Sequence, residues 1–279
     1  MAPTGCCPEG SLGPVPLAEL EAKGKVISVS PKKDDSKRKP MPFYCVGPET
    51  PKRIVLVFGD IYGLESGNHK VVCDSIQSRM GDETAVFLAD IFRGCPTVGG
   101  WNVLPTFVAH QLVIPSLVLD CKTRLSDDKL EQDLLEVIMP YCLDKCSNVC
   151  SVGFCYGGWL ASRALALDGC PIKCVVGVHP SWQVETLHGK KEIDLAKKIG
   201  SQPILVLPAS NDQLKPDSDE VKALAEQRGV DPDKVAVEFP DMVHGFVARG
   251  DMKDEKIAEA QTKALNLTCE FLKEHCPIA

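Results

Sequence analysis

The densest chemical signal in the 279-residue chain is the run Gly153-Phe154-Cys155-Tyr156-Gly157-Gly158. A nucleophile between glycines, after an apolar strand and before a helix, is the pattern of a nucleophile elbow, here with Cys in place of Ser. The glycines are needed because the nucleophile sits on a sharp, strained turn with almost no room for neighbouring side chains. The helix that starts there aims its N-terminus at the thiol, which favours a thiolate and a developing oxyanion. Two further groups follow in the order acid, then base. Asp212 lies in PASNDQ after an apolar run at 204–207, and His244 lies in PDMVHGF after another at 235–239. A histidine can take the thiol proton, and an aspartate can fix its tautomer and support the imidazolium. A lone Asp or His on a loop is an ordinary solvated turn residue. Three such residues in order, each after its own expected strand, point to a catalytic triad.

These residues need a frame that delivers loops to one edge of a sheet. RIVLVF at 53–58 is a continuous apolar run, as expected of a strand buried on both faces. Further strands are expected at 84–88, 148–153, 175–178, 204–207 and 235–239. Helices are expected at 68–80, 127–143, 157–167, 190–199, 218–228 and 253–275. Strand alternating with helix reads as a parallel sheet covered on both faces, with its chemistry at the carboxyl ends of the strands. Two short strands, 25–28 and 43–46, flank the charged turn PKKDDSKRKP and read as a hairpin at the sheet edge. The last helix places Ile257, Ala260, Ala264, Leu267 and Phe271 on one face for docking. The segment 91–123 is an insert with weak helical periodicity. Residues 1–20, rich in Pro and Gly, read as an extended arm, and 21–279 as a single domain.

Composition sets the outer bounds. Hydrophobic residues are 44%, charged residues 25%, and the net charge is -7. That balance disfavours a general nucleic-acid or anionic-membrane surface. No apolar run reaches the roughly 20 residues of a membrane span. With neither a secretory pattern nor a retention signal, the expected compartment is the cytoplasm. The 14 cysteines read as small, reduced hydrophobes rather than a disulfide framework. Cys6-Cys7 is adjacent rather than spaced, and Cys142, Cys146 and Cys150 recur every four residues. Neither grouping has zinc-site spacing with a nearby histidine, so no metal is expected.

The runs GFCYGG, SNDQL and VHGFVAR together resemble the dienelactone hydrolase family, and FGDIYGLES and ADIFRG resemble two further segments of it. The resemblance runs from Phe43 to Leu272 and is weak in the insert. It implies an α/β-hydrolase fold and a Cys155–Asp212–His244 triad. It also implies cleavage of small lactones or activated esters through a thioester, without metal or organic cofactor. By the same resemblance the oxyanion hole is formed by the backbone N–H groups of Ile61 and Tyr156. Asp60 stands where many members carry a glutamate that hydrogen-bonds the resting thiol. Arg249 resembles an arginine that grips a substrate carboxylate, although a surface pair with Asp251 competes with that reading. Arg93 is a weaker candidate for assisting it. The expected partner is a small ester or lactone, carboxylated or neutral, with the chain a monomer or homodimer. Two alternatives stay open: a broader carboxylesterase or thioesterase, and a non-catalytic binding protein on the same scaffold. His179 lines the pocket or sits in the core. His69, His110, His188 and His275 have no partner that the sequence identifies.

Overall fold

The structure is a computed structural model that describes residues 6–13, 22–31, 39–94 and 116–278. The turn at 32–38 and most of the insert, 95–115, lie outside the described residues.

The organising element is β3 (Arg53–Phe58), buried at every position. Successive side chains of a strand point to opposite faces, so each face needs its own cover. Ile54, Leu56 and Phe58 join one core cluster, and Val55 and Val57 the other. This two-sided cover is why the strand reads as an unbroken apolar run. Around it lie β1 (Lys25–Val29), β2 (Met41–Val46), β4 (Thr84–Ala89), β5 (Val149–Phe154), β6 (Ile172–Val178) and β7 (Ile204–Leu207). They form one seven-stranded sheet in the order β1-β2-β4-β3-β5-β6-β7. The run β4-β3-β5-β6-β7 is parallel, and the expected hairpin β1-β2 joins antiparallel at the edge. The architecture is the expected α/β-hydrolase fold. Helices His69–Met80 and Glu255–His275 contribute to one core cluster, and Tyr156–Leu165 and Asp219–Arg228 to the other.

Two expectations about the elements are corrected and a third is extended. The strand at 235–239 is reduced to two isolated parallel bridges, Val206 with Ala236 and Ala209 with Phe239. The ladder starts properly, with Val206 N–H donating to Val235 O at 2.7 Å and Val237 N–H to Val206 O at 3.0 Å. The next donor in register belongs to Pro208, which has no N–H, so the ladder breaks there. The helix expected at 127–143 runs as Asp127–Asp133, a π-helical turn Leu134–Ile138, and Met139–Leu143. Pro140 cannot bond to the carbonyl four residues back and would collide with it, and the widened turn relieves that conflict. The docking face of the last helix is wider than the expected stripe: Ala264 is buried and Ile257, Ala260, Leu267 and Phe271 pack partly buried against the core as expected, while Leu265, Thr268, Cys269 and Leu272 beside them are also buried.

The N-terminal segment also departs from a free arm. Residues 6–13 lie across the carboxyl edge of the sheet. Leu12 N–H donates to His244 O at 3.0 Å, Asn211 Nδ2 to Glu9 O at 2.9 Å, and Gln183 Nε2 to Cys6 O at 2.7 Å.

Candidate active site

Cys155 caps helix Tyr156–Leu165 directly after β5, with φ 54° and ψ -119°. Few non-glycine residues adopt a positive φ, and such strain persists only where its surroundings enforce it. Here Cys155 N–H donates to Val178 O at 3.2 Å, and its carbonyl accepts from Gly158 and Ser181 N–H at 3.0 Å each. The glycines act by close approach. A Cβ on Gly153 would lie 2.0 Å from Gly157 O, and one on Gly157 would lie 2.1 Å from Phe58 O. The elbow is thereby pressed against the end of β3 and the loop that follows it.

His244 and Asp212 arrive from the two later loops. Ala209 N–H donates to Asp212 Oδ2 at 2.7 Å, and the other carboxylate oxygen lies 2.6 Å from His244 Nδ1. Asn211 Oδ1 accepts from the His244 backbone N–H at 2.7 Å. With Nδ1–H held by the carboxylate, Nε2 is the free nitrogen, and it is buried without a hydrogen-bond partner. Burial pushes the Cys155 thiol up, but hydrogen bonds from Cys6 and Cys7 and the charge of His244 outweigh it, so its pKa falls well below the ordinary value. Burial likewise pulls His244 down, but Asp212 and the Cys155 thiolate outweigh it and hold its pKa well above the ordinary value. Both shifts favour the charged pair, thiolate and imidazolium, over the neutral one. All three side chains are buried, and Cys155 is 3% exposed.

The two loop residues expected to bind substrate form one unit. Arg249 Nε and Nη2 donate to the two oxygens of Asp60 at 2.6 and 2.5 Å, and Nη1 donates to Ser66 Oγ at 3.0 Å. Its guanidinium stacks over the Tyr62 ring, 4.1 Å from the centroid. Arg249 is 3% exposed, so the alternative of a surface pair with Asp251 is corrected. Asp60 faces Arg249, the Tyr62 N–H at 3.0 Å and His69 Nε2 at 3.6 Å. The groups that touch the Cys155 sulfur are instead Cys6 Sγ at 3.4 Å, Cys7 Sγ at 3.7 Å and Ser181 Oγ at 3.4 Å. Arg93 is taken up by Asp133, with both terminal nitrogens 2.6 Å from its oxygens. That carboxylate fixes Arg93 to the helix after the insert. Ile61 follows Asp60 in a turn whose Tyr62 and Gly63 N–H groups fold back onto Asp60.

Further residues join the site, one of them marked in the sequence and two not. His179 has φ 38° and sits after β6. Its ring meets that of His244 edge-on at 4.8 Å between centroids. Burial and the neighbouring His244 charge keep it neutral. The rule that located His244, a histidine just past a strand, also marks GVHPSW. Nothing in the linear order marks Cys6 and Cys7, which the fold brings to Cys155 across 149 and 148 residues. These three sulfurs lie within 4.8 Å of one another and are a possible set of metal ligands. Every cysteine among the described residues is a free thiol. No described helix is long and apolar enough to cross a membrane.

Among solved structures, the chain is similar to a dienelactone hydrolase from Anabaena variabilis, with 16% identity, TM-score 0.54, and 92% of this chain and 100% of that one covered. It is also similar to an esterase from Pyrobaculum calidifontis, at 17% identity and TM-score 0.52, covering 92% of this chain and 86% of that one. An esterase from Pyrococcus furiosus matches at 15% identity and TM-score 0.51, covering 95% and 99%. No curated protein sequence matches. At these identities the structures establish the fold alone. The sequence profile of the dienelactone hydrolase family matches residues 41–276. The chain therefore belongs to the dienelactone hydrolase family and is a carboxylic ester hydrolase.

Proposed function

We propose that the protein hydrolyses small lactones or activated esters through a thioester on Cys155. One observation carries this reading: a His244 imidazole fixed by Asp212 at 2.6 Å, its Nε2 free, beside a thiol on a strained elbow. The thiolate attacks the carbonyl carbon, and the oxyanion is met by the Tyr156 and Ile61 backbone N–H groups. His244, as imidazolium, gives its proton to the departing alkoxide. Acylation removes the thiolate charge that had raised the His244 pKa, so the imidazole becomes a base able to activate water. Asp212 keeps the tautomer with Nδ1–H through both halves. Asp60 and Arg249 brace the loop that carries Ile61, and Arg93 braces the segment before the insert. No metal or organic cofactor takes part in these steps, and cytoplasmic location and a monomeric or dimeric state complete the reading.

A broader carboxylesterase activity is favoured by one feature: the Arg249 guanidinium is engaged by Asp60 and Ser66 rather than held open for an incoming carboxylate. The central test is acid quenching during turnover of p-nitrophenyl acetate, followed by mass spectrometry of the peptides. An acetyl group on the Cys155 peptide is expected. Turnover by Cys155→Ala at the wild-type rate would overturn the reading.

A further inference from the structure

The sulfurs of Cys6, Cys7 and Cys155 converge, although the bond-making steps of the proposed hydrolysis pass through only one of them. Cys6 Sγ and Cys7 Sγ stand 3.4 and 3.7 Å from Cys155 Sγ, and all three sulfurs fall within 4.8 Å of one another. Four ligands placed about 2.3 Å from a zinc ion at tetrahedral angles would have sulfurs roughly 3.8 Å apart, so the trio is already near that spacing. Residues 6 and 7 are adjacent in the chain, yet both thiols turn to the same third sulfur. The strap holding them is fixed by Gln183 Nε2 on Cys6 O, Asn211 Nδ2 on Glu9 O and Leu12 N–H on His244 O.

A fourth donor stands beside them. His244 Nε2 is buried without a hydrogen-bond partner, and the ring neighbours both Cys155 and Cys7. Its other nitrogen is held by Asp212 Oδ1 at 2.6 Å. A carboxylate on the far nitrogen of a histidine is the arrangement that orients such a ring towards zinc. The three sulfurs already lie within 4.8 Å of one another, and His244 Nε2, which neighbours two of them and not yet all three, would complete a Cys3His set on moving inward. Such a set selects a borderline-soft divalent cation over magnesium or calcium.

We propose that the closed strap and the elbow together form a zinc site, with Cys6, Cys7, Cys155 and His244 as ligands. Binding releases the thiol protons of Cys6 and Cys7 and the Nε2 proton of His244 to solvent and closes the fourth position. A site of this kind has no open position for substrate, so zinc and ester compete for the same sulfur. The linear spacing argument at Cys6-Cys7 does not reach such a site, because its other ligands would come from two distant loops.

The test uses the full reduced chain under anaerobic conditions, with Co2+ as the spectroscopic probe and zinc as competitor. The expected result is one Co2+ per chain with the visible bands of a tetrahedral ion and a thiolate charge-transfer band, both erased by one equivalent of Zn2+. Cys6→Ser/Cys7→Ser is expected to weaken binding at least 100-fold and remove most of the charge-transfer band, and His244→Ala to weaken it at least ten-fold. Zinc is expected to raise the Tm of the wild-type chain but not of the double variant, whose own melt without metal confirms that it folds. A double variant with wild-type spectrum and affinity overturns the proposal, as does a wild-type chain that holds no tetrahedral ion. The readout is metal binding, so the proposal fails or stands apart from the hydrolase reading.

Discussion

Replacing Arg249 by Met tests whether the Asp60–Arg249 pair braces the loop or binds substrate. The pair is almost dry, with the two side chains 1% and 3% exposed. Arg249 reaches both carboxylate oxygens at 2.6 and 2.5 Å. Met keeps the length of the side chain and its packing against the Tyr62 ring, but removes the charge. Asp60 is then left with the Tyr62 N–H at 3.0 Å and a His69 ring whose pKa burial has lowered, so the carboxylate loses its only buried cation among the described residues that contact it. Stranding one partner of a buried pair costs about 3–5 kcal/mol. For a chain of this size that is a fall in Tm of roughly 6–20 °C. Removing both charges, as in Asp60→Leu/Arg249→Met, strands neither, so the double variant is expected to be more stable than either single variant. Urea unfolding with an unchanged m-value measures all four corners of the cycle. If Arg249→Met stays within about 0.5 kcal/mol of wild type, or the two losses simply add, the pair is not a coupled buried unit and the reasoning fails.

Other outcomes follow from the same geometry. The Arg249→Met variant should lose kcat/KM to a similar extent for a carboxylated lactone and for p-nitrophenyl acetate; a loss of ten-fold or more confined to the carboxylated substrate, about 1.4 kcal/mol, would restore the carboxylate clamp. His244→Ala should lose at least about 10³-fold in kcat, and Asp212→Asn should be slowed yet folded, as steady-state kinetics with circular dichroism will show. If either keeps full activity the base lies elsewhere, and His179 is the next residue to test. The lowered Cys155 pKa means that its thiolate persists to lower pH than that of an ordinary thiol. Alkylation of the Cys155 peptide by iodoacetamide should accordingly be nearly flat between about pH 8 and 6, and a decline of about ten-fold per unit there would contradict the ion pair.

The sequence made the carboxyl edge of the sheet legible because each signal there is local. RIVLVF could only be a strand buried on both faces, and GFCYGG could only be a turn in which side chains do not fit. The post-strand positions of Asp212 and His244 then follow from the rule that chemistry gathers at carboxyl ends. Local signals also misled. The run 235–239 has the composition of a strand, but its regularity depends on donors in its neighbour, and Pro208 withholds one. The stripe Ile257–Ala260–Ala264–Leu267–Phe271 does pack against the core, but Leu265, Cys269 and Leu272 beside it are buried more deeply than most of the stripe. Arg249 offered two sequence readings, a substrate carboxylate and Asp251, because Asp60 lies 189 residues away and becomes a neighbour only in the fold.

The strap over the elbow shows how far an unremarkable segment can shape a site. Residues 6–13 have neither helical nor strand periodicity, and nothing in their composition ties them to Cys155. Three hydrogen bonds anchor them, to His244 O, from Asn211 and from Gln183. Each is worth about 0.5–1.5 kcal/mol net, so the bonds together contribute roughly 1.5–4.5 kcal/mol. Cys155 is 3% exposed, and if the strap is what covers it, an ester would reach the sulfur only when the strap lifts. An opening of that size leaves roughly one molecule in ten to one in a few thousand open at any moment, and apparent substrate affinity falls by the same fraction. The contacts that shield the thiolate from solvent therefore also limit its encounter with substrate. The residues that set this balance, Asn211 and Gln183, flank the triad rather than belong to it. Their influence on the reaction comes from how firmly they hold the strap closed.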